Sequence, residues 1–287
     1  MYAITGITGK VGGALGRELL AAGQAVRAIV RDGAKGAAWA AQGCETALAG
    51  MENAEQLAEA FADAEGVFIL PPSDFDPAPG FPEATRVIDA VVSALVKARP
   101  GRVLCLSTIG ADAPHENLLT QRTLMEDALR ELDLPITFLR PAWFMENALW
   151  DVPAARGEGS LRSFLQPLDK PFPMVACKDI GRLAADIIRQ EWTGTRIVEL
   201  EGPARVSPND LASAFEAALG RPVQAEIVPR DAWEGMFRAQ GMRNPTPRMR
   251  MLDGFNEGWI DFADQGRFAV KGKTSLQEVI SALVAGR

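Results

Sequence analysis

The sequence predicts an α/β fold, with a doubly wound parallel sheet and a smaller α/β domain beside it. Short apolar runs alternate with amphipathic helical segments over the first half, and a glycine-rich turn follows the first run. Beyond residue 150 the pattern changes to stretches rich in Gly and Pro, followed by aromatic helical segments. A chain of 287 residues is long enough to divide in this way. We expect a larger domain of residues 1–150, to which residues 176–202 return, and a smaller substrate domain of residues 151–175 and 203–287.

The first segment combines a strand, a glycine turn and a helix. Residues 2–5 suit a short buried strand, Gly6, Gly9 and Gly12 follow, and a helical apolar pattern then runs to Gly23. Such a turn offers backbone N–H groups and the positive end of a helix dipole to an anion, and the missing β-carbons let a pyrophosphate approach. The G-x-x-G-x-x-G spacing is a variant of the dinucleotide-binding fingerprint of Rossmann folds. The alternative is a turn that only packs the strand closely against the helix.

The residues after the second apolar run indicate which dinucleotide binds. This run, residues 25–30, ends where Rossmann folds bind the adenosine ribose. Arg31 occupies that position, with Asp32 next and Lys35 close behind. A guanidinium and an ammonium group favour a ribose 2′-phosphate, so we predict NADP(H) rather than NAD(H). In the alternative interpretation, Asp32 binds a free ribose 2′-OH and Arg31 is a solvated surface charge.

The next segments continue the alternation. Strands are expected at residues 45–49, 66–70, 102–106 and 136–139, with helices over residues 54–63, 83–99 and 118–131. Pro71 and Pro72 end one strand at the edge of the sheet where open α/β folds bind ligands. The Pro-rich loop of residues 75–82 is either part of a mouth over that edge or a plain surface connection.

The second half is predicted in less detail. Helices are expected over residues 179–190 and 209–219, and strands over residues 196–200 and 223–228. We interpret Asp179 and Ser207 as helix N-caps. We interpret Arg243, Arg248 and Arg250 as a solvated face rather than a site for an acidic substrate.

Composition and charge exclude several classes of function. The net charge of −7 and the absence of a Lys/Arg cluster argue against direct nucleic-acid binding. Cys44, Cys105 and Cys177 are too few and too scattered for a disulfide framework or a zinc site, so we expect them to fill the core and expect no metal. The chain enters a strand at once and has no apolar run of ~18 residues, so we expect a cytoplasmic protein without a signal peptide or membrane span.

The order of these motifs resembles the NmrA-like branch of the atypical short-chain dehydrogenase/reductase superfamily. That branch includes reductases of quinones and of triphenylmethane dyes, as well as redox-sensing regulators. The resemblance covers nearly the whole chain. The matching segments are residues 6–12, 26–31, 104–110, 138–147, 175–181 and 275–280.

The resemblance also implies a set of cofactor-binding residues. They are Gly6, Thr8, Gly9, Lys10, Val11 and Gly12 at the pyrophosphate, Arg31 and Lys35 at the 2′-phosphate, Leu70 and Pro71 beside the ribose, Ser107 and Thr108 near the nicotinamide ribose, Arg122 at the place of the family's lysine, and Pro141, Trp143 and Phe144 at the nicotinamide ring. Trp143 and Phe144 are then either walls of the acceptor pocket or packed core.

The chain departs from the pattern of related enzymes at two places. Many members carry an acidic residue that contacts adenine after the third strand, and Gly50 stands at that position here. Short-chain dehydrogenases that reduce carbonyls use Tyr-x-x-x-Lys, but the only tyrosine is Tyr2, in the first strand. Arg122 and Leu118 stand at the lysine and tyrosine positions. We therefore exclude ordinary tyrosine-dependent carbonyl reduction.

Two functions remain open. The protein either transfers hydride from NADPH to a quinone-like or other conjugated small molecule, where no strong general acid is needed, or it senses the redox state of NADP(H) without catalysis and reports it to a protein partner. We favour the enzyme, because the aromatic carboxyl-terminal half suits a flat acceptor. His115, the only histidine, either protonates a bound acceptor or is a solvated loop residue. The sequence leaves a homodimer open.

Overall fold

Parallel strands dominate the computed structural model, which describes residues 1–286. The strands are β1 Tyr2–Ile4, β2 Val26–Val30, β3 Glu45–Leu48, β4 Gly66–Ile69, β5 Val103–Leu106, β6 Ile136–Pro141, β7 Trp143–Phe144, β8 Ser160–Ser163, β9 Met174–Val175, β10 Thr195–Glu201, β11 Gln224–Ile227 and β12 Val270–Lys271. Eight of them form the central sheet in the order β12-β10-β6-β5-β4-β1-β2-β3. Each neighbouring pair in it is parallel.

Helices cover both faces of the sheet and build most of the second half. They are α1 Lys10–Ala21, α2 Gly33–Ala40, α3 Ala54–Phe61, α4 Pro82–Ala98, α5 Thr120–Arg130, α6 Val152–Gly157, α7 Cys177–Ile188, α8 Pro208–Leu219, α9 Trp233–Ala239, α10 Thr246–Glu257 and α11 Leu276–Val284. Within residues 1–286, no helix has the length and apolar character that crossing a membrane requires.

The core consists of two apolar layers, one on each face of the central sheet. Every residue of β4 is buried, and alternate residues enter opposite layers. Phe68 belongs to the layer that contains Leu15 of α1 and Ile180 of α7, whereas Ile69 belongs to the layer that contains Val91 of α4. Burial on both faces explains why these strands are continuous apolar runs in the sequence.

The strand order reverses at β1, which pairs with β2 on one side and β4 on the other. In a doubly wound sheet this reversal opens a crevice at the carboxyl ends of the strands, where ligands bind. The predicted fold class is therefore confirmed. The turns after β1, β2, β4, β5 and β6 all leave the sheet at this edge.

The remaining strands form two small sheets of two strands each. β8 pairs with β11 in parallel, and β7 pairs with β9. The helices α6 and α8 lie beside the β8–β11 pair. β12 was not predicted, because a strand of only two residues carries no periodicity.

The prediction that Asp179 caps a helix is wrong. α7 begins two residues earlier, with Ala176 as its N-cap. The buried Asp179 carboxylate instead accepts hydrogen bonds from the backbone N–H groups of Lys273 and Thr274, at 2.8 and 2.7 Å. It therefore ties α7 to the segment that leads into α11. The Ser207 prediction is confirmed, because its hydroxyl accepts a hydrogen bond from the Asp210 N–H in a capping box.

Candidate functional site

The glycine turn lies at the carboxyl end of β1 and leads into α1. Gly6 has a φ of +63°, in the left-handed region that favours glycine. A β-carbon on Gly12 would lie 2.4 Å from the Gly6 carbonyl oxygen, so only glycine permits this approach of helix and turn. Gly9 is the N-cap of α1, and no side chain caps the helix. The N–H groups of the first turn therefore face outward at the crevice, as an anion site requires.

The predicted pyrophosphate residues are together at this turn. Thr8, Gly9 and Lys10 are exposed. Val11 is buried, so its side chain anchors α1 in the core and only its backbone N–H could reach a ligand. The first turn of α1 contains no acidic residue. The turn thus offers hydrogen-bond donors and a lysine ammonium group to an anion without a competing carboxylate.

The end of β2 separates the roles of Arg31 and Asp32. The Asp32 carboxylate accepts a hydrogen bond from the Ala34 N–H at 2.9 Å and caps α2. Arg31 and Lys35 are exposed, and neither forms an ion pair with a residue in the described range 1–286. At the carboxyl end of β2, two exposed cations therefore have no ion-pair partner among residues 1–286, while the adjacent carboxylate accepts a backbone hydrogen bond.

Leu70 lies directly over the glycine turn. The Thr5 hydroxyl donates to the Phe68 carbonyl at 3.1 Å and accepts from the Leu70 N–H at 2.7 Å, so it joins the ends of β1 and β4. The Leu70 side chain reaches to 3.1 Å of the position that a β-carbon on Gly6 would occupy. The predicted ribose residue therefore lies next to the predicted pyrophosphate turn.

Arg122 binds the loop that follows β4. Its guanidinium donates to the carbonyls of Pro71 at 2.9 Å and Pro72 at 3.2 Å, and to the Ser73 hydroxyl at 2.8 Å. It also lines a cavity of about 250 Å³ with Glu83 and other residues of α4. Burial lowers the pKa of Arg122 to about 10, so the side chain stays charged at neutral pH. Three of its donors are thus engaged with the loop, and its role as a cofactor ligand stays a prediction.

The Pro-rich loop is also attached to the segment between α9 and α10. The Asp76 carboxylate accepts from the backbone N–H groups of Arg243 and Asn244, at 2.9 and 2.7 Å. The Asn244 side chain donates in return to the Pro77 carbonyl at 2.8 Å. We call these contacts of Asp76, Pro77, Arg243 and Asn244 the loop clasp. The loop bridges two parts of the chain and is more than a plain surface connection.

Ser107 is buried in an ionic network that the sequence reasoning missed. Its hydroxyl donates to Glu126 of α5, and the Glu126 carboxylate accepts two hydrogen bonds from Arg140 at 2.8 and 2.7 Å. Arg140 also donates to Asp112 at 2.7 Å. Burial alone would lower the pKa of Arg140, but the hydrogen bonds and charge of Glu126 raise it above its ordinary value. The network joins the ends of β5 and β6, whereas Thr108 is half-exposed beside it.

The chain leaves β6 into the aromatic segment that is predicted to meet the nicotinamide. Pro141 is buried at the end of the strand, whereas Trp143 and Phe144 are half-buried. The Trp143 ring packs edge-on against Phe255 of α10, with ring centroids 5.3 Å apart. One side of the Trp143 ring therefore contacts α10, and part of its surface remains accessible to solvent.

Glu146, which sequence reasoning also missed, fixes the end of this aromatic segment. Its two carboxylate oxygens each lie 2.9 Å from the backbone nitrogen of Cys177, the first residue of α7. This carboxylate is stabilised by the positive end of the helix. Burial, and then the Glu146 charge, raise the pKa of the Cys177 thiol, which is inert like the buried Cys44 and Cys105.

Comparison with known proteins identifies the family. The model of the NmrA-like family matches residues 2–254. The chain belongs to the NmrA-like family. The resemblance stated from the sequence motifs is therefore confirmed.

Two curated relatives of this NmrA-like protein are named as a reductase and an oxidoreductase. It is 26% identical over 245 residues to NAD(P)H azoreductase of Xenophilus azovorans, a match that covers 84% of the chain and 82% of the relative. It is 28% identical over 244 residues to quinone oxidoreductase 2 of Escherichia coli, with the same two coverages. The structure of the NADPH-dependent quinone oxidoreductase of Escherichia coli in complex with NADPH superposes with a TM-score of 0.82 at 23% identity, and the match covers 99% of each chain. The fold of this NmrA-like protein is thus that of the quinone oxidoreductase structure.

The two candidate proton donors of this NmrA-like protein, His115 and Tyr2, lie in different places. His115 is exposed, and its ring packs edge-on against Trp259 at 5.1 Å. Tyr2 lies at the amino end of β1, on the opposite edge of the sheet from the glycine turn, and its hydroxyl donates to Glu65 at 2.7 Å. Burial, and then Glu65, raise the pKa of Tyr2. This position makes Tyr2 unsuitable as an acid in the crevice.

Proposed function

We propose that this NmrA-like protein is an NADPH-dependent oxidoreductase that transfers hydride to a quinone-like or other conjugated small molecule. The main support for this proposal is that the candidate cofactor and acceptor residues lie at the same edge of the central sheet. The start of α1, the exposed cations after β2 and the half-buried aromatic segment after β6 all lie at the carboxyl ends of parallel strands of one sheet. The family's characterised reductases of quinones and azo compounds support the same reaction type.

The residues at this edge fit a phosphorylated dinucleotide. The Gly6, Gly9 and Gly12 turn has no β-carbons where a pyrophosphate would approach, and the first turn of α1 directs its N–H groups outward. Arg31 and Lys35 are free to bind a 2′-phosphate. One oxygen of the Asp32 carboxylate already caps α2, which disfavours this residue as the ribose acceptor that NAD(H) would need. NADP(H) is therefore the proposed cofactor.

The reaction places modest demands on the protein's own side chains. The nicotinamide ring supplies the hydride when the cofactor is bound. Trp143 and Phe144 would form the walls that orient a flat acceptor, and Ser107, held by Glu126, would fix the loop after β5. Because Tyr2 lies at the opposite edge, the chain offers no tyrosine proton donor there. The acceptor should therefore be one whose reduced form can take its proton from water, and a quinone is such an acceptor.

The test is anaerobic oxidation of NADPH with a panel of quinones, for the wild type and Gly9→Asp. The added carboxylate would stand at the start of α1 and repel the pyrophosphate, so we expect loss of both NADPH binding and turnover. Gly235→Asp is the matched control, because a β-carbon there meets no atom within 4 Å and the position is exposed. Tight NADPH binding by the wild type without turnover of any acceptor would contradict the reductase and favour the alternative, a cofactor sensor that acts through a protein partner.

A further inference from the structure

Arg248 is a half-buried cation without an anionic partner. Its guanidinium carbon lies 4.4 Å from the ring centroid of Phe237, and one nitrogen contacts the Met242 sulfur at 3.8 Å. Within residues 1–286 it forms no ion pair and donates to no oxygen atom. This environment differs from the solvated face that the sequence analysis assigned to Arg243, Arg248 and Arg250.

Three arginines withdrawn from water differ from Arg248 because they bind carboxylates, and Arg122 and Arg196, which have no carboxylate in the described residues, donate instead to neutral oxygen atoms. Arg27, Arg140 and Arg205 each bind at least one carboxylate at 2.7 Å. The carboxylates raise the pKa of Arg140 and Arg205 despite burial, whereas burial lowers the pKa of Arg248. Removing a cation from water without a counter-charge is costly, so an anion supplied from outside the chain would stabilise this arrangement.

The neighbouring arginines already have partners. The Arg243 guanidinium lies 3.5 Å from Asp76 in the loop clasp, and Arg250 is exposed and donates to the Glu116 carbonyl at 3.3 Å. The guanidinium of Arg248 is the one of the three that is both half-buried and without an oxygen acceptor in the described residues.

Arg248 lies on the face of α10 that meets the aromatic segment. Phe255 follows seven residues later, so both side chains project from one face of the helix, about 10 Å apart along its axis. The Phe255 ring packs against Trp143, at the proposed nicotinamide end. One face of α10 therefore presents an aromatic contact at one end and a free guanidinium at the other.

The guanidinium is also reachable. The buried side-chain nitrogen and oxygen atoms without a partner in residues 1–286 are Glu83 Oε2 and Trp192 Nε1. Nε and Nη2 of Arg248 are not among them, although neither donates a hydrogen bond, so both retain accessible surface. A planar guanidinium with two free donors suits a carboxylate, phosphate or sulfonate group.

We propose that Arg248 binds an anionic oxygen group of the acceptor, so that the substrates of this protein are conjugated molecules with an acidic substituent. This inference rests on the proposed reductase function and narrows its substrate class. Phe237 packs against the guanidinium, and the acid would supply the counter-charge that residues 1–286 do not.

The test compares two naphthoquinones that differ only in charge. One carries a saturated carboxyalkyl side chain, and the other is its methyl ester. The saturated chain insulates the quinone, so both have nearly the same reduction potential. The proteins are the wild type, Arg248→Met, which keeps a long side chain on Phe237, Arg248→Lys, which restores the charge, and the control Arg250→Met.

We expect Arg248→Met to lower kcat/KM for the carboxylate about tenfold to hundredfold, mainly through KM, and to change kcat/KM for the ester less than about twofold. Arg248→Lys should recover part of the loss, and Arg250→Met should resemble the wild type. Equal losses on both quinones, or no loss on either, would overturn the inference. NADPH binding should be the same in all four proteins.

A second measurement separates this inference from the reductase proposal. Calorimetry with the carboxylate quinone and the protein saturated with NADP⁺ should show the same loss of affinity in Arg248→Met. If no acceptor is turned over but this binding depends on Arg248, the reductase proposal fails and the acid site stands. If turnover occurs and the affinity for the carboxylate quinone is the same in Arg248→Met as in the wild type, the reductase proposal stands and the acid site fails.

Discussion

Arg31 and Asp32 show how adjacent side chains take separate roles at a strand end. Both are exposed and follow β2 directly, so the sequence alone left two interpretations open. The hydrogen bond from the Ala34 N–H to Asp32 favours one of them, because it uses the carboxylate as the cap of α2. We therefore propose that the Arg31 guanidinium distinguishes a 2′-phosphate from a 2′-hydroxyl.

We predict that Arg31→Ala lowers affinity for NADPH about tenfold to hundredfold and changes affinity for NADH less than about twofold, because only NADPH carries the 2′-phosphate. Fluorescence titration with each nucleotide measures both constants. Arg189→Ala is the control, since it removes an arginine that pairs with Asp186 at the end of α7. Equal losses for NADPH and NADH in Arg31→Ala would show that Arg31 does not contact the 2′-phosphate.

At the scale of elements, the buried ion pair of Glu126 and Arg140 fixes α5 against β6. Their side chains are 3% and 5% exposed. Breaking such a pair leaves a buried charge unpaired, so we predict that Arg140→Ala lowers the free energy of unfolding by about 3–5 kcal/mol. Arg130 binds the same carboxylate from a position that is 37% exposed, and Arg130→Ala should cost less than about 1 kcal/mol.

Urea unfolding of the three proteins measures this difference. Similar midpoints for Arg140→Ala and Arg130→Ala would contradict the role of burial in the network.

The loop clasp connects the edge of the sheet to the segment before α10. We predict that Asp76→Asn speeds hydrogen exchange at residues 71–81, because a neutral amide is a weaker acceptor for two backbone N–H groups than a carboxylate. Exchange measured by mass spectrometry should stay unchanged at β5 and β6. Unchanged exchange at residues 71–81 would mean that the Arg122 contacts alone hold the loop.

The same clasp should depend on pH. The backbone N–H groups of Arg243 and then Asn244 hold the pKa of Asp76 below its usual range. A carboxyl with a depressed folded-state pKa stabilises the fold above its unfolded-state pKa, and this stabilisation is lost as pH falls through the folded-state value. Protection of residues 71–81 from exchange should therefore be constant near neutral pH and fall only in strong acid. If protection instead falls between about pH 6 and 8, where histidine ordinarily titrates, a group other than Asp76 controls the loop.

For the whole molecule, features that depend on residues close in sequence could be predicted, whereas contacts between distant segments could not. The strands that are buried on both faces and the Gly6 to Gly12 turn are recognisable, because their patterns lie within a few neighbouring residues. Contacts between distant segments leave no such pattern. Asp179 with Thr274, and Glu146 with Cys177, join positions 95 and 31 residues apart. Asp179 resembles a helix cap in sequence, and only the position of the segment before α11 reveals its partner.

The residues of the candidate site also divide into those that local sequence predicts and those that depend on distant contacts. The glycine turn and the exposed position of Arg31 follow from local sequence at a strand end, and the role of Arg31 in cofactor binding stays a prediction. The burial of Ser107 against Glu126, and the lack of a carboxylate partner for Arg248 within residues 1–286, depend on packing between separate helices and strands. A lone arginine in a cluster is indistinguishable in sequence from a solvated one.

Hydride transfer from NADPH at the carboxyl edge of the sheet can be followed in a single-turnover experiment. Protein loaded with NADPH is mixed anaerobically with a naphthoquinone, and the loss of NADPH absorbance is followed for the ordinary nucleotide and for the nucleotide deuterated at the transferred position. The account predicts one NADPH consumed per quinone, with slower decay for the deuterated form, and no decay with Gly9→Asp. Stable absorbance in the wild-type complex would contradict it.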